Sequence, residues 1–526
     1  MGLEVTRFAP VCLVSLPRSA SLTLVQTGEQ VSCITHSFST ATGPAGLLGE
    51  LINVGDGGDA DYARVDARGK IALAEGLATP EKAVAAERHG VTAVIHISGQ
   101  HLHEMIISPV WGSPTTETID RLPTRPHVSI SRQDGDRLQR MLRQGPVQVR
   151  ITTDVDTEWR PLPVLVAELS APQGDGMFVL FSGHVDSWHY GTMDNRSANA
   201  LMLEVARVLS EHRDRLRRSV RFAFWSGHSH ARYATSAWYA DEKWDELWEH
   251  CVAHINIDSP GAVNATVLSE APTMAETYDF AREVIQRLTG QELAYRRIGR
   301  LGDQSFWGTG VPSLFCSISE QAEIHEQRDI ADLLGGAGAR RGGLGWWWHT
   351  PEDTVDKIDP SNLVRDCGIL LATVWHLSTQ NVLPFRQSRA VEEIQQVLEV
   401  LAPYSSRTEL DFEPLLDECR DLLVEARKLD ELSSRSVGDE AARRLNRCSM
   451  LVSRALIPVN YTVRGSFDQD PALPAPPLPG LQRVRELASL TAQDANYYPL
   501  LNSLRRERNR VLHALKSARR ALAAVI

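Results

Sequence analysis

Three apolar runs near the middle of the chain each end in histidines or acids, and this recurrence restricts the fold more than any other feature. Met177 to Leu180 leads into Phe181-Ser-Gly-His-Val-Asp-Ser-Trp-His-Tyr-Gly-Thr-Met-Asp-Asn195. A second run ends at Trp225 just before His228 and His230, and a third, His254-Ile-Asn-Ile-Asp258, closes on an aspartate. Short apolar runs bounded by turn residues read as strands covered on both faces. Expected strands at 177–182, 219–225, 252–257 and 312–316 alternate with helical patterns at 197–213, 236–249 and 274–289. That alternation predicts an α/β fold, a mostly parallel sheet with helices on both faces. Sheets of this kind carry their sites at the carboxyl ends of the strands, where these histidines and aspartates fall.

The residue types then suggest the chemistry. His184 and Asp186 are two apart and point the same way on an extended segment, so Asp186 can orient the His184 ring. His189 and Asp194 follow, and Asp194 can fold back to share a metal with His184. Downstream, His349-Thr-Pro-Glu-Asp-Thr places a histidine ahead of a helix start. Each residue alone has a plain structural role. His184 would be a hydrogen-bonded core histidine, Asp194 or His349 a helix cap, Asp258 a turn residue, and His228 and His230 a solvated loop. Trp346 to Trp348 reads as packing. Zinc takes imidazole and carboxylate ligands, however, and four such clusters at the ends of one sheet point together to a cation site. Trp188, Tyr190 and Asn195 lie beside it as candidate substrate contacts.

The flanking regions differ in character. Strand-like runs occupy Val11 to Leu16 and Ser21 to Val25. From about 45 to 155 a smaller α/β unit is expected, with strands at 70–74, 91–97 and 147–152 and helices at 80–89 and 132–143. Trp159 to Leu169 is expected as one strand leading back to the sheet. The glycine-rich stretch Gly335 to Gly345 must be a loop. Beyond Pro384 helices alone are expected, at 388–402, 411–430, 438–455, 481–490 and 497–524, with a proline-rich connector at 468–480. In the last helix Leu501, Leu504, Val511, Leu515, Ala518, Leu522 and Val525 keep 3-4 spacing, which suits a bundle seam within the chain or across a homodimer. A net charge of −11 with no basic run argues against nucleic acid as a partner. The longest apolar stretch, Gly368 to Leu377, is too short to cross a membrane. Seven scattered cysteines with no Cys-x-x-Cys pair, and no visible secretory signal, fit a cytoplasmic protein.

His184-x-Asp186, Asp194-Asn195, Asn256-Ile-Asp258 and His349-Thr-x-x-Asp-Thr stand in the order found in co-catalytic zinc aminopeptidases and carboxypeptidases, and the chain resembles that family. Gly183-His-x-Asp-Ser-Trp188, Arg218 to Trp225 and Leu301-Gly-Asp-Gln-Ser-Phe306 resemble its branch containing glutamate carboxypeptidase II and the transferrin receptor. The resemblance implies N-terminal strands joining the catalytic domain (1–44), a protease-associated domain (45–155), the catalytic domain (156–385) and a helical dimerisation domain (386–526). It implies one metal on His184 and Asp258, another on His349, Asp194 bridging them, and Asp186 orienting His184. His101-Leu-His103 of the protease-associated unit would then reach the site mouth.

The chain departs from that family where a Glu-Glu pair, base followed by ligand, is usual: it has Gly227-His-Ser-His-Ala231. Aligned from the downstream side, the pair becomes Ser229 and His230. This makes His230 the expected replacement ligand and His228 the expected proton carrier. The expected function is a metal-dependent exopeptidase or related amidohydrolase, with one or two zinc ions acting on a peptide or amide. The alternatives are a catalytically disabled binding or scaffold protein like the transferrin receptor, and a single-zinc acyltransferase.

Overall fold

The computed structural model describes residues 1–172, 174–322, 343–435 and 437–525. In chain order the strands are β1 (Glu4–Phe8), β2 (Val11–Leu24), β3 (Gln30–Val31), β4 (Cys33–Thr35), β5 (Leu47–Asn53), β6 (Ile71–Glu75) and β7 (Ala93–Ile97). They continue as β8 (His127–Ile130), β9 (Gln148–Pro161), β10 (Val164–Leu169), β11 (Phe178–His184), β12 (Ser219–Trp225), β13 (Cys251–Asn256) and β14 (Ser313–Leu314). Two sheets result. One is six-stranded in the order β1-β10-β12-β11-β13-β14, the other eight-stranded in the order β3-β2-β9-β5-β6-β7-β8-β4.

The six-stranded sheet is parallel through β12, β11, β13 and β14 and antiparallel at the β10 and β1 edge. Both faces of β11 are covered, which is why its sequence is an unbroken apolar run. Val179 and Phe181 pack with Leu201, Val205 and Leu209 of helix Ala198–Glu211. Phe178 and Leu180 pack with Trp225, Tyr239 and Leu247 on the opposite side, where helices Ala234–Glu242 and Trp244–His250 lie. Each such buried side chain contributes roughly 1.5–3 kcal/mol, so the strand ends that carry the polar clusters are held on a rigid base.

The eight-stranded sheet takes in more of the N-terminus than residue boundaries suggested. Only Glu4–Phe8 pairs into the six-stranded sheet, whereas β2, β3 and β4 belong to the other, so the division at residue 44 is corrected. The chain leaves one sheet after Phe8 and returns at Val164. The stretch Trp159 to Leu169 is accordingly two strands in two sheets, separated at Leu162 and Pro163. β2 and β9 pair antiparallel from Val11↔Pro161 to Leu24↔Val149, with an irregularity at Pro17, which has no N–H to give the ladder. Helix Pro80–His89 has proline at its first turn and ends at Gly90, whose φ of 70° is left-handed.

Beyond the sheets lie helices Gln387–Ser405, Glu413–Ser433, Asp439–Tyr461 and Tyr497–Ala523. The expected helix at 481–490 is shorter, Val484–Leu487 preceded by a single 3-10 turn. Leu501, Leu504, Val511, Leu515, Ala518 and Leu522 are buried among Leu415, Leu422, Cys448 and Val452 of neighbouring helices in the same chain. The stripe is consumed inside the subunit and so gives no reason to expect a homodimer. Among the described residues no helix is long and apolar enough to cross a membrane. Of the glycine-rich stretch, residues 335–342 lie outside the described residues.

Candidate functional site

Because β11 pairs in parallel with both β12 and β13, the carboxyl ends of all three strands open at one edge. His184 is the last residue of β11. Its Nδ1 donates to the backbone carbonyl of Asp186 at 2.8 Å. A carbonyl can only accept, so the proton sits on Nδ1 and Nε2 is left as an acceptor. That atom lies 3.0 Å from Oδ1 of Asp194 and 3.5 Å from Oδ2 of Asp258. The other oxygen of Asp194 is 3.1 Å from Nε2 of His349. His349 Nδ1 in turn donates to the backbone carbonyl of Glu104 at 2.6 Å, which fixes its tautomer in the same sense. Asp194 thus stands between two imidazoles that both present bare Nε2 atoms.

The electrostatics match. Burial alone would lower the His184 pKa, but Asp258 and Asp194 override it and raise the value well above the usual one. Burial would raise Asp194, but its contacts with His184 and His349 hold it well below the carboxylate range. Despite their proximity, His184 Nε2 and Asp194 Oδ1 are buried without a hydrogen-bond partner. Facing Asp194 at 3.0 Å, Nε2 of His184 takes up a proton when no cation is present; a divalent cation would take that proton's place, and imidazole plus carboxylate is a donor set that zinc accepts. The residues present fit the group.

Asp186 plays a different part from the one expected. Its backbone carbonyl orients His184, while its carboxylate accepts the backbone N–H groups of His228 and Ser229 at 3.1 and 3.0 Å. It secures the turn after β12.

That turn also decides between the two histidines. Donor atoms of His184, His228 and Asp258 all lie within 4.8 Å of one another. By distance alone His228 would be a third ligand, but direction forbids it. The His184 and His228 rings are stacked, with centroids 3.7 Å apart and planes 14° from parallel. An imidazole binds a cation in its own plane, and two near-parallel rings cannot both aim at one ion. His230 is further from the role assigned to it. Its ring packs on Trp188 at 4.2 Å and, among the described residues, makes no ion pair with Asp194 or any other carboxylate. Burial lowers its pKa. The expectation of His230 as replacement ligand is therefore corrected. The Ser229 hydroxyl is buried and has no partner.

The candidate substrate contacts fare poorly. Asn195 is spent on the backbone, donating to Ile257 O and accepting from Ser259 N, both at 3.0 Å. Tyr190 is 66% exposed, and Trp188 is buried behind His230 and His349. None of the three lines the cavity of about 350 Å³ that opens on Asp194, Asp258, His228 and His349. Its walls come instead from Met105 and Ile106 of the eight-stranded unit, Trp348, Arg232 and Arg300. Both arginines are buried with an unpartnered Nε, and the Arg300 guanidinium lies over the Trp111 ring at 4.2 Å. His101 stacks on Trp346 at 4.3 Å and His103 donates to Trp348 O at 2.6 Å, so the His101-Leu-His103 segment does meet the site's edge.

Three residues with parts in the site had been given no role. Asp353 accepts the N–H groups of Met193 and Asp194 at 2.8 and 3.0 Å and so sets the backbone of Asp194. Burial pushes its carboxyl up to about 6. Glu104 holds His349, and Asp303 lies 2.9 Å from His228 Nδ1. Asp353 follows His349 by four residues, a legible spacing, and Asp303 lies within the quoted Leu301-Gly-Asp-Gln-Ser-Phe306 stretch; Glu104 leaves no local sign.

Much of the chain is similar to known proteins. Residues 165–374 match peptidase family M28. Aminopeptidase YwaD of Bacillus subtilis is 24% identical over 385 residues, 71% of this chain and 75% of that protein. Aminopeptidase NAALADL1 of Mus musculus is 30% identical over 113 residues, 20% of this chain and 15% of its own length. Among solved structures, a peptidase M28 precursor from Shewanella amazonensis SB2B superposes with a TM-score of 0.53 at 18% identity, covering 72% of this chain and 84% of that one. The zinc aminopeptidase BSAP from Bacillus subtilis gives 0.52 at 21%, covering 72% and 86%. The chain thus resembles the zinc aminopeptidases and carboxypeptidases its motifs indicated, and its residues 165–374 are similar to the metallopeptidases of family M28.

Proposed function

We propose that this protein is a zinc-dependent exopeptidase or closely related amidohydrolase. The observation that carries the reading is the buried convergence of His184, Asp194, Asp258 and His349. His184, Asp194 and Asp258 would hold the cation, and His349 would approach from the far oxygen of Asp194. A zinc ion there would polarise the scissile carbonyl and acidify water.

The chain's own residues supply the rest. His228, in the position of the missing carboxylate base, faces the cavity and would take a proton from water and pass it to the leaving amine. Asp353 keeps Asp194 in place, and Glu104 keeps His349 in place. A cavity of about 350 Å³ holds one or two residues and not a long chain, which favours cleavage at an end. The eight-stranded unit, read as a protease-associated domain, supports this by giving Met105 and Ile106 to the cavity wall.

Metal analysis of the purified protein, followed by a screen of amino-acyl and acyl-amino-acid amides with zinc present, tests the proposal. Bound zinc with turnover of at least one amide class is expected. Bound zinc without turnover across the panel overturns the hydrolase reading in favour of a binding protein. Absence of zinc binding overturns the site itself.

A further inference from the structure

His228 has a buried partner that the function above does not use. Asp303 is 0% exposed, and its Oδ2 lies 2.9 Å from His228 Nδ1. Its other oxygen, Oδ1, is buried without a hydrogen bond. A carboxylate cannot donate, so this contact places the ring proton on Nδ1 and leaves Nε2 bare. Nε2 is the atom turned toward the cation site, 3.9 Å from Asp258 Oδ2. The ring has little freedom to turn otherwise. His184 stacks on one face, and Tyr233 meets it edge-on with centroids 4.7 Å apart. Asp303 comes from the loop before β14, a separate segment from the turn that carries His228, so the pair is a tertiary device.

We infer that Asp303 is a positioning residue which fixes the tautomer and orientation of His228, the two together standing where a peptidase of this kind would carry a single carboxylate base. A carboxylate base needs no tautomer, because either oxygen can accept a proton. An imidazole can accept at only one nitrogen, and with the proton on Nε2 it would turn an N–H toward the site and be useless as a base. Replacing a carboxylate by histidine therefore creates a need that Asp303 meets. The structural part of this inference stands alone. Its catalytic consequence rests on the hydrolase reading.

The test separates the two. Nitrogen-15 NMR of histidine-labelled protein with zinc bound, with the His228 signals assigned by their disappearance in His228→Gln, should show Nδ1 protonated and Nε2 bare in the unaltered chain. This measurement needs no variant of Asp303 to fold. In Asp303→Asn the amide can donate to Nδ1, and the two signals should exchange character while zinc content stays the same. For an amide found in the screen, kcat of Asp303→Asn should fall by ~10²–10⁴-fold with little change in KM. An Nε2-protonated ring in the unaltered chain, or a tautomer insensitive to Asp303→Asn, overturns the inference. An exchanged tautomer with kcat within a few fold overturns its catalytic part. If no amide is hydrolysed but the tautomer follows Asp303, the hydrolase reading fails and the positioning role stands.

Discussion

Acid should loosen the eight-stranded unit well before it denatures an average protein. Three histidines, His36, His96 and His127, are fully buried there on or beside β4, β7 and β8. His36 Nε2 bonds the Ser129 hydroxyl at 2.8 Å, and His96 Nε2 meets His127 Nδ1 at 3.0 Å. Each ring has one buried nitrogen without a partner, and among the described residues no acid acts to stabilise a charge on His36 or His127. On His96 the neighbouring His127 and then Lys82 add to burial in repelling a proton. Burial first, then the neighbouring His127, lowers His36 to about 3; burial lowers His127 to about 3; and His96 is lowered by the same causes. The unfolded chain takes protons on these rings below about 6.5, while the folded one refuses them. Stability is therefore complete above that pH and is lost as pH falls toward the folded values. At pH 5 each histidine with a folded value near 3 costs about 2 kcal/mol, so His36 and His127 together cost about 4 kcal/mol, and His96 acts in the same direction. Hydrogen exchange of the β7 and β8 amides at pH 7.5 and 5.0, corrected for intrinsic rates, reads this directly. Protection should fall by roughly 10³-fold or more, at 1.36 kcal/mol per decade. In the double variant His36→Gln, His127→Gln most of that fall should vanish. Equal protection at both pH values, or the same fall in the double variant, would refute the reasoning.

Other outcomes follow from the site and the core. His184→Ala should abolish zinc retention, while His230→Ala should keep it, since only the first presents a donor atom to Asp194; inductively coupled plasma analysis of dialysed protein decides. Asp353→Ala strips two buried N–H groups of their acceptor and should destabilise the protein by about 1–3 kcal/mol and weaken zinc affinity by ~10–100-fold; calorimetric titration and denaturant unfolding check both. Leu515→Ala leaves a void in the helical layer and should cost about 2–5 kcal/mol, seen as a lower unfolding midpoint with the zinc site unchanged.

The parts of the fold and site that the sequence disclosed share one property: the signal lies within a few residues. β11, β12 and β13 are apolar runs broken by turn residues, and each appears within two residues of its expected place. His184 and Asp258 converge because β11 and β13, which they end or follow, are parallel neighbours, and Asp194 lies in the loop after β11; His349 is brought in by a loop held at Glu104. What escaped sequence reading depends on one-residue geometry or on distance along the chain. Choosing between His228 and His230 required knowing which neighbours their rings meet, Asp303 and His184 for the first and Trp188 for the second. His228 and Asp303 meet across 75 positions, and His349 and Glu104 across 245. Asp186 misled for a different reason, because its spacing correctly put it beside His184, yet the carbonyl and not the carboxylate makes the bond. The stripe on Tyr497–Ala523 was legible as apolar, but a period of 3-4 says only that one face is buried and never against which chain.

The two histidines flanking Asp194 are secured in unlike ways. His184 is oriented by the loop that directly follows its own strand, so its geometry is as stable as the six-stranded sheet. His349 is oriented by Glu104, which accepts from its ring and donates its own backbone N–H to the His349 carbonyl at 3.0 Å. His103 and His101 add contacts to Trp348 and Trp346, the residues immediately before it. The His349 arm of the site therefore borrows its order from the eight-stranded unit. Free energy that holds that unit closed is in part free energy that holds the imidazole on Asp194. A perturbation confined to His36, His96 and His127 thus has a route to the site through Glu104, the contact that orients His349.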